Sequence, residues 1–498
     1  MMMNRRDRGW AAAVTISSAL AIGGAGACCG EATGATGATG GAGNPSGTGG
    51  AAVGGGGAAG GEAGTPEGGS GGGSPGSGGA GAEAEGEWYL SDLCDTGDAT
   101  NAWGPVERDR SNGEQAADDG GPIILQGKVY SKGLGMHAPA SVGYALGGQC
   151  SRLQAVVGID AEMKSAGSVI FEVWGDGELL LATETVTGAS PAESLDLDIS
   201  GVQELRLVLN EDGGNGSDHG DWADARVTCS ARPAELCPRV EPPIPTVPGY
   251  ELVWSDEFDG EGPPDPANWS FERGFVRNEE LQWYQEDNAW QQAGFLIIEG
   301  RRETLDFSDV DRSGWRDWAR DRTAAEYTSS SLHTRGKQSW QYGRIEMRGR
   351  IVAAEGLWPA FWTLGNDGEW PSNGEIDIME FYKGRIHANF AVGTETRWQA
   401  RWDSWNREVS SFEGTDWDAK FHVWRLDWDA DTACIFVDDE QVNCTNVDDM
   451  RNADGSAPFR QPHYVLLNLA IGGNGGGAVS GSTRFPTHYV IDYVRVYQ

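Results

Sequence analysis

Short runs in which apolar and polar residues alternate recur along much of the chain, and long windows with helical spacing are absent. Residues 168–174 (SVIFEVW) and 204–209 (ELRLVL) read this way, with Gly and Asp turns between such runs. So do 250–254, 295–299, 342–347, 423–428 and 489–497. A side-chain period of two marks a strand with one face buried. Many such strands, with no helix to cover them, must bury their apolar faces against one another. The pattern therefore predicts an all-β chain of stacked antiparallel sheets.

The pattern breaks twice. Residues 30–86 are almost entirely Gly, Ala, Thr, Ser, Pro and Glu, with no periodic apolar position, so a flexible linker is expected there. Residues 231–248 hold six prolines and read as a stiffer linker. The breaks delimit folded segments of 87–230 and 249–498, both of domain size. Ahead of them, Arg5, Arg6 and Arg8 precede an Ala-rich run ending in Ala25-Gly26-Ala27, which makes 1–29 a secretory signal peptide. The run is too short and too weakly apolar for a lasting transmembrane span. Cys28 and Cys29 follow those small residues as in a bacterial lipoprotein signal, although Ala25 stands where that pattern favours Leu; either is a candidate for a lipid anchor. The expected place is outside a bacterial cell or on its outer surface, and the expected state a monomer.

Charge and cysteines narrow the classes. Thirty-seven basic residues against 74 acidic ones leave a formal net charge of −37 over 498 residues. Binding to nucleic acid relies on Lys and Arg releasing counterions from phosphates, so that partner is excluded. Six cysteines lie beyond the signal: Cys94, Cys150, Cys229, Cys237, Cys434 and Cys444. An even number in an exported protein suggests disulfides. Cys434 and Cys444 bound two β-rich runs around an acidic turn, and pairing Val437 with Gln441 would set them opposite each other as a cross-strand disulfide. Free buried thiols are the competing reading. With no CxxC or HExxH and the seven His scattered, a catalytic zinc is not expected, and catalysis should need no cofactor. Sixteen of the 21 Trp fall in 249–498, more than a core of that size needs, and exposed indoles stack on the C–H faces of sugar rings.

The candidate chemistry lies at Gly374-Glu375-Ile376-Asp377-Ile378-Met379-Glu380-Phe381. On a strand, Glu375 and Asp377 share one face while Ile376 and Ile378 share the other. A bulge around Ile378 and Met379 would return Glu380 to the acidic face, and bulges are common beside active sites. Glu375 and Glu380 would then stand about 13 Å apart along the strand at roughly 3.3 Å per residue. Inward-leaning side chains could bring the carboxyls to about 5 Å, the spacing of retaining glycoside hydrolysis. One Glu would act as nucleophile; the other, its pKa raised by the like charge, would protonate the leaving oxygen. Asp377 between them can hydrogen-bond the nucleophile. A solvated acidic strand is the plain alternative, and the interleaved Ile376, Ile378 and Met379 argue against it.

Residues 249–498 resemble glycoside hydrolase family 16, in the branch with a bulged E-x-D-x-x-E motif that includes laminarinases. The likeness rests on that motif and on WSDEFD from Trp254, NEELQWY from Asn278, Tyr342-Gly343-Arg344, GLWPAFW from Gly356, LNLAIGG from Leu467 and DYVRVY from Asp492. It implies a β-jelly-roll sandwich with an open substrate groove, Glu375 as nucleophile, Asp377 as its helper and Glu380 as acid/base. A polysaccharide partner follows, first a β-1,3-linked glucan cleaved internally with retention. Mixed-linkage glucan, a galactan such as agar or carrageenan, and a non-catalytic polysaccharide-binding protein are the alternatives. Trp358 and Trp362, four apart and so on one strand face, would line the groove, with core packing as the competing reading. Asn278, Glu280, His387 and Asn389 match polar cleft positions, although loop capping or a structural histidine would look the same. Trp402, with Trp398 and Trp405, would add stacking. The resemblance also implies a structural calcium on the convex side, held by Glu257, Asp492 and a carbonyl near Gly300.

Two departures bear on the substrate. Phe381 stands where many laminarinases carry His, and Asn474-Gly475-Gly476 follows Gly473 where relatives often carry Trp, so the groove wall is expected to differ. Residues 87–230 resemble the NPCBM carbohydrate-binding module at WGPVE from Trp103, KGLGMHA from Lys132 and DWADA from Asp221. That implies a galactose-binding-like β-sandwich that attaches to sugar; a purely structural accessory domain competes. Its Asp-rich loops over 210–224 read either as a calcium site or as solvated turns.

Overall fold

The computed structural model describes residues 86–214, 216–412, 414 and 417–498. The expected signal peptide, the lipid-anchor cysteines and all but the last residue of the Gly-rich linker lie outside the described residues. In the N-terminal module, Val169, Phe171 and Val173 of Ser168–Gly175 are buried, and the residues between them are only partly covered. Glu204–Glu211 repeats this with Leu205, Leu207 and Leu209, and pairs antiparallel with it, Leu207 opposite Val173. A second sheet centres on Cys150–Ile159 and His219–Cys229. The inner faces of both meet around Phe171, Leu207 and Trp222. A Cys150–Cys229 disulfide joins neighbouring strands, and Cys94–Cys237 fastens the Pro-rich segment to the module.

The C-terminal domain stacks an eight-stranded sheet on a seven-stranded one. Five strands of the latter matter for the site: β1 (Leu357–Gly365), β2 (Glu375–Tyr382), β3 (Arg385–Gly393), β4 (Ala400–Glu408) and β5 (His463–Ile471). They lie side by side in the order β5-β1-β2-β3-β4. Ile376, Ile378, Met379 and Phe381 of β2 point between the sheets, where they join Ile345, Met347, Leu426 and Val494 in one core. Because that face is buried, a slip of one residue would bring carboxylates into the core, so the register of β2 is strongly specified.

In the hairpin of Thr432–Val437 and Glu440–Asn446, Cys434 stands opposite Cys444 and the two are joined. The expected tip register is corrected: Val437 pairs with Glu440 and Phe436 with Gln441. Asp438 takes φ 54°, which closes a tight two-residue turn, and a register shift between Ile435 and Phe436 takes up the extra residue.

The two domains are in contact. The hairpin of Ile123–Leu125 and Lys128–Tyr130 places Ile124 and Val129 against Phe295, Ile297 and Val490 of the eight-stranded sheet. Arg350 pairs with Glu162, and Lys164 with Asp418 at 2.7 Å, across the same boundary. Among the described residues, no helix is long and apolar enough to cross a membrane.

Candidate active site

On β2, Asp377 faces Asn389 and Glu380 faces His387, so three residues of β2 span what two span on β3. The pairing with β1 shifts at the same place, Phe361 opposite Met379 and Trp362 opposite Asp377. This bulge at Ile378 and Met379 puts Glu375, Asp377 and Glu380 on one face.

Burial shapes their charges. Asp377 is 1% exposed, and its Oδ1 faces no hydrogen-bond donor. Desolvation, then the charges of Glu380 and Glu375, hold its carboxyl well above the usual carboxylate range. This favours its protonated form, whose O–H lies within reach of both Glu375 and Glu380. Asn389 Nδ2 donates to Asp377 Oδ2 and to Glu380 Oε2, each at 3.2 Å. Burial raises Glu375 too, opposed by the Trp370 indole N–H, which donates to it. Glu380 is half-buried, and desolvation followed by the charge of Glu375 lifts its carboxyl to about 7. Trp358 Nε1 donates to Glu380 Oε1 at 2.8 Å. The face thus holds a Glu375 carboxylate supported by the Trp370 indole and by Asp377, beside a Glu380 carboxyl that is half protonated near neutral pH.

Further residues gather from distant segments. Trp358, Trp362, Asn278, Glu280, Glu375 and Glu380 border one cavity. Asn278 and Glu279 take φ 56° and 55°, turning that loop so that Glu280 points inward. Glu280 accepts from Gln282 at 2.8 Å, and burial lifts its carboxyl to about 7. His387 is stacked on Tyr382 with ring centroids 3.7 Å apart, and burial lowers it to about 4, so it stays neutral.

Three residues of this surface escaped the reading of the sequence. Asn468 accepts from Trp362 Nε1 at 2.8 Å; it lies within the LNLAIGG match, so a signal existed. Arg277, ion-paired with Glu272, lies over the Trp362 ring at 5.2 Å and directly precedes Asn278. Trp370 had no signal, since only the turn before β2 brings it to Glu375.

Three expectations are corrected. The Trp cluster of β4 does not form: Trp402 lies on the acidic face, opposite Ala391 and 45% exposed, whereas Trp405, three residues on, turns to the core. Trp398 sits instead in the preceding turn under Arg397. Phe381 is 1% exposed and points into the core, so its identity does not alter the groove wall. Asn474-Gly475-Gly476 does border that wall, because a Cβ at Gly475 would stand 2.2 Å from the Trp358 ring. The calcium does not fit: Glu257 is held by Arg495 at 2.8 Å and Asp492 by Arg348 at 2.7 Å, while Gly300 pairs with Thr487. Among the described residues, no group of three or more His, Cys, Asp or Glu is set to hold a metal, and that includes the Asp-rich loop.

Residues 305–495 match Glycosyl hydrolases family 16, and residues 86–228 match the NPCBM/NEW2 domain. The chain is 36% identical over 277 residues to the beta-glucanase of Rhodothermus marinus, covering 50% of this chain and 86% of that protein. It is 31% identical over 281 residues to glucan endo-1,3-beta-glucosidase A1 of Niallia circulans, of whose length it spans 39%. The X-ray structure of the laminarinase from Rhodothermus marinus aligns at 35% identity over 51% of this chain and 99% of that one, with a TM-score of 0.42. The chain belongs to glycoside hydrolase family 16. It is a hydrolase of that family preceded by an NPCBM/NEW2 domain.

Proposed function

We propose that the protein is a retaining endo-glycosidase acting on β-1,3-linked glucan, with Glu375 as nucleophile and Glu380 as acid/base. The observation that carries this reading is the bulged strand that sets Asp377 between two glutamates on one face. In the first step a Glu375 oxygen bonds to the anomeric carbon as the glycosidic C–O bond breaks, and the leaving oxygen takes the Glu380 proton. In the second, Glu380 removes a proton from water, whose oxygen attacks the anomeric carbon and releases Glu375. Throughout, Asp377 keeps its proton and steadies the Glu375 carboxylate by its hydrogen bond. Trp358, Trp362, Asn278, Glu280, His387 and Asn389 form the surface against which a sugar ring would rest, and Trp402 extends it toward the sheet edge. The choice of substrate rests on the similarity to the beta-glucanase of Rhodothermus marinus and, for the linkage, to glucan endo-1,3-beta-glucosidase A1 of Niallia circulans.

Export through residues 1–29, attachment by a lipid at Cys28 or Cys29, and a monomeric state belong to the same proposal. Its test is product sizing over time from laminarin, lichenan, agarose and carrageenan, with the anomer followed by NMR and Glu375→Gln as control. A ladder of oligosaccharides from laminarin, first as the β-anomer and absent with the variant, is expected. Cleavage confined to a galactan would overturn the substrate, and an initial α-anomer the mechanism.

A further inference from the structure

The turn that brings Asn278 and Glu280 to the acid-lined cavity holds a conformation its residues do not favour. Asn278 and Glu279 stand in succession in the left-handed region, at φ 56° and 55°. A side chain with a Cβ resists that region, so two such residues in a row persist only where the surroundings fix them. One side of the turn is fixed by the chain around the end of β5. The Asn474 N–H donates to the Asn278 carbonyl at 2.8 Å, and a Cβ at Gly473 would stand 2.6 Å from the same oxygen. Just past Glu280, the Leu281 N–H donates to the Ile471 carbonyl at 2.8 Å.

The other side is fixed from a separate loop. The chain leaves and returns through a short pairing of Leu305–Asp306 with Ala324–Ala325, and residues 307–323 lie between them. Aromatic rings of this loop close on Phe275 and Trp283, which flank the turn in sequence. Phe307 and Trp315 lie against Trp283 with centroids 4.6 and 5.3 Å away, and Trp318 lies 6.1 Å from Phe275. Near the end of the loop, the Arg322 guanidinium lies over the Phe275 ring at 4.6 Å and the Trp318 ring at 4.8 Å. From there its Nη2 donates to the Glu279 carbonyl at 2.9 Å, and its Nη1 to the Glu280 carbonyl. Three successive carbonyls, those of 278, 279 and 280, thus accept hydrogen bonds from outside the turn. Arg322 itself is not part of the cavity lining, whereas Asn278 and Glu280 are. A planar guanidinium can lie on a ring while two of its N–H groups reach neighbouring carbonyls; a lysine ammonium cannot.

We propose that Arg322 is a positioning residue for the polysaccharide groove, gripping the Glu279 and Glu280 carbonyls so that Asn278 and Glu280 are held where a sugar ring meets them. The aromatic loop is the support that keeps the guanidinium in place. This role rests on the reading of the acid-lined face as the glucan site. Groups that only contact sugar serve bound substrate and transition state alike, so losing their position should raise KM and spare kcat.

The test compares the full chain with Arg322→Ala and Arg322→Lys by two measurements. Hydrogen exchange followed by mass spectrometry should show faster exchange over 278–284 and 472–476 in the alanine variant and unchanged exchange elsewhere, because the Leu281 and Asn474 N–H groups lose a fixed partner. Initial rates on laminarin should give a KM about tenfold higher with kcat within about twofold, and lysine should recover little of the loss. In a Glu280→Ala background, Arg322→Ala should raise KM far less, since residues that act through one another are not additive. Unchanged exchange over the turn, or a fall in kcat with KM unmoved, would overturn the positioning role. An undiminished effect in the Glu280→Ala background would overturn action through Glu280, and full recovery by lysine would overturn the need for the planar fork. Failure of the catalytic reading is distinguishable: it shows as no cleavage of laminarin by the unaltered chain, while the exchange measurement still decides whether Arg322 holds the turn.

Discussion

Replacing Trp358 by Phe should move the proton of Glu380. The indole donates to Glu380 Oε1 at 2.8 Å, a bond stronger to the ionised form and therefore opposing the rise that burial and Glu375 impose. Phe keeps a flat ring against the groove and removes the donor. A hydrogen bond to a charged group is worth about 1.5–3 kcal/mol, and the lower value applies to a half-buried carboxylate. At about 1.4 kcal/mol per pKa unit, its loss should raise the Glu380 pKa by about one unit. The descending limb of kcat/KM against pH should thus move from near 7 to about 8. Initial rates of reducing-end release from laminarin over a wide pH range would measure it. KM should rise as well, since a smaller ring stacks less, but the position of the limb reports the free enzyme's proton and not ring contact. An unmoved limb, or one shifted downward, would refute the assignment of Glu380 as the acid or the bond from Trp358.

Gly475→Ala should disturb the same indole from behind, since the added methyl would stand 2.2 Å from the Trp358 ring; a fall in kcat with the limb shifted in the direction of Trp358→Phe is expected, and wild-type kinetics would count against that contact. Glu280→Gln tests burial: a carboxyl raised from 4.5 to about 7 stabilises the fold in its neutral form below about 4.5 and loses that contribution as pH rises through 7. The amide should therefore give a higher Tm than wild type at pH 8, by up to about 3 kcal/mol of stability, and an equal one at pH 4. A gain that ignored pH would be inconsistent with this cause. Chelation by EDTA, or added calcium, should leave Tm unchanged, because arginines already neutralise Glu257 and Asp492; a marked drop with EDTA would reinstate the metal.

The parts legible in the sequence are those set by neighbours along the chain. Side chains on a strand alternate whatever the strand packs against, so Ile376 and Ile378 in the core and Glu375 and Asp377 outside it followed from spacing, as did the bulge needed to return Glu380 to its face. The same alternation, applied to Phe381, Trp402 and Trp405, would have turned Phe381 inward and separated the two indoles. The parts decided by tertiary structure are those joined across long separations. Arg277 over Trp362, Asn468 beneath it and Trp370 against Glu375 depend on which strands become neighbours and how turns aim their side chains. The arginines that displace the expected calcium, and the hairpin of the N-terminal module on the catalytic sheet, depend on the packing of distant surfaces. Period and charge are local properties of a chain. Which carboxylate meets a proton, an indole or a guanidinium is settled only when separate segments compete for the same space.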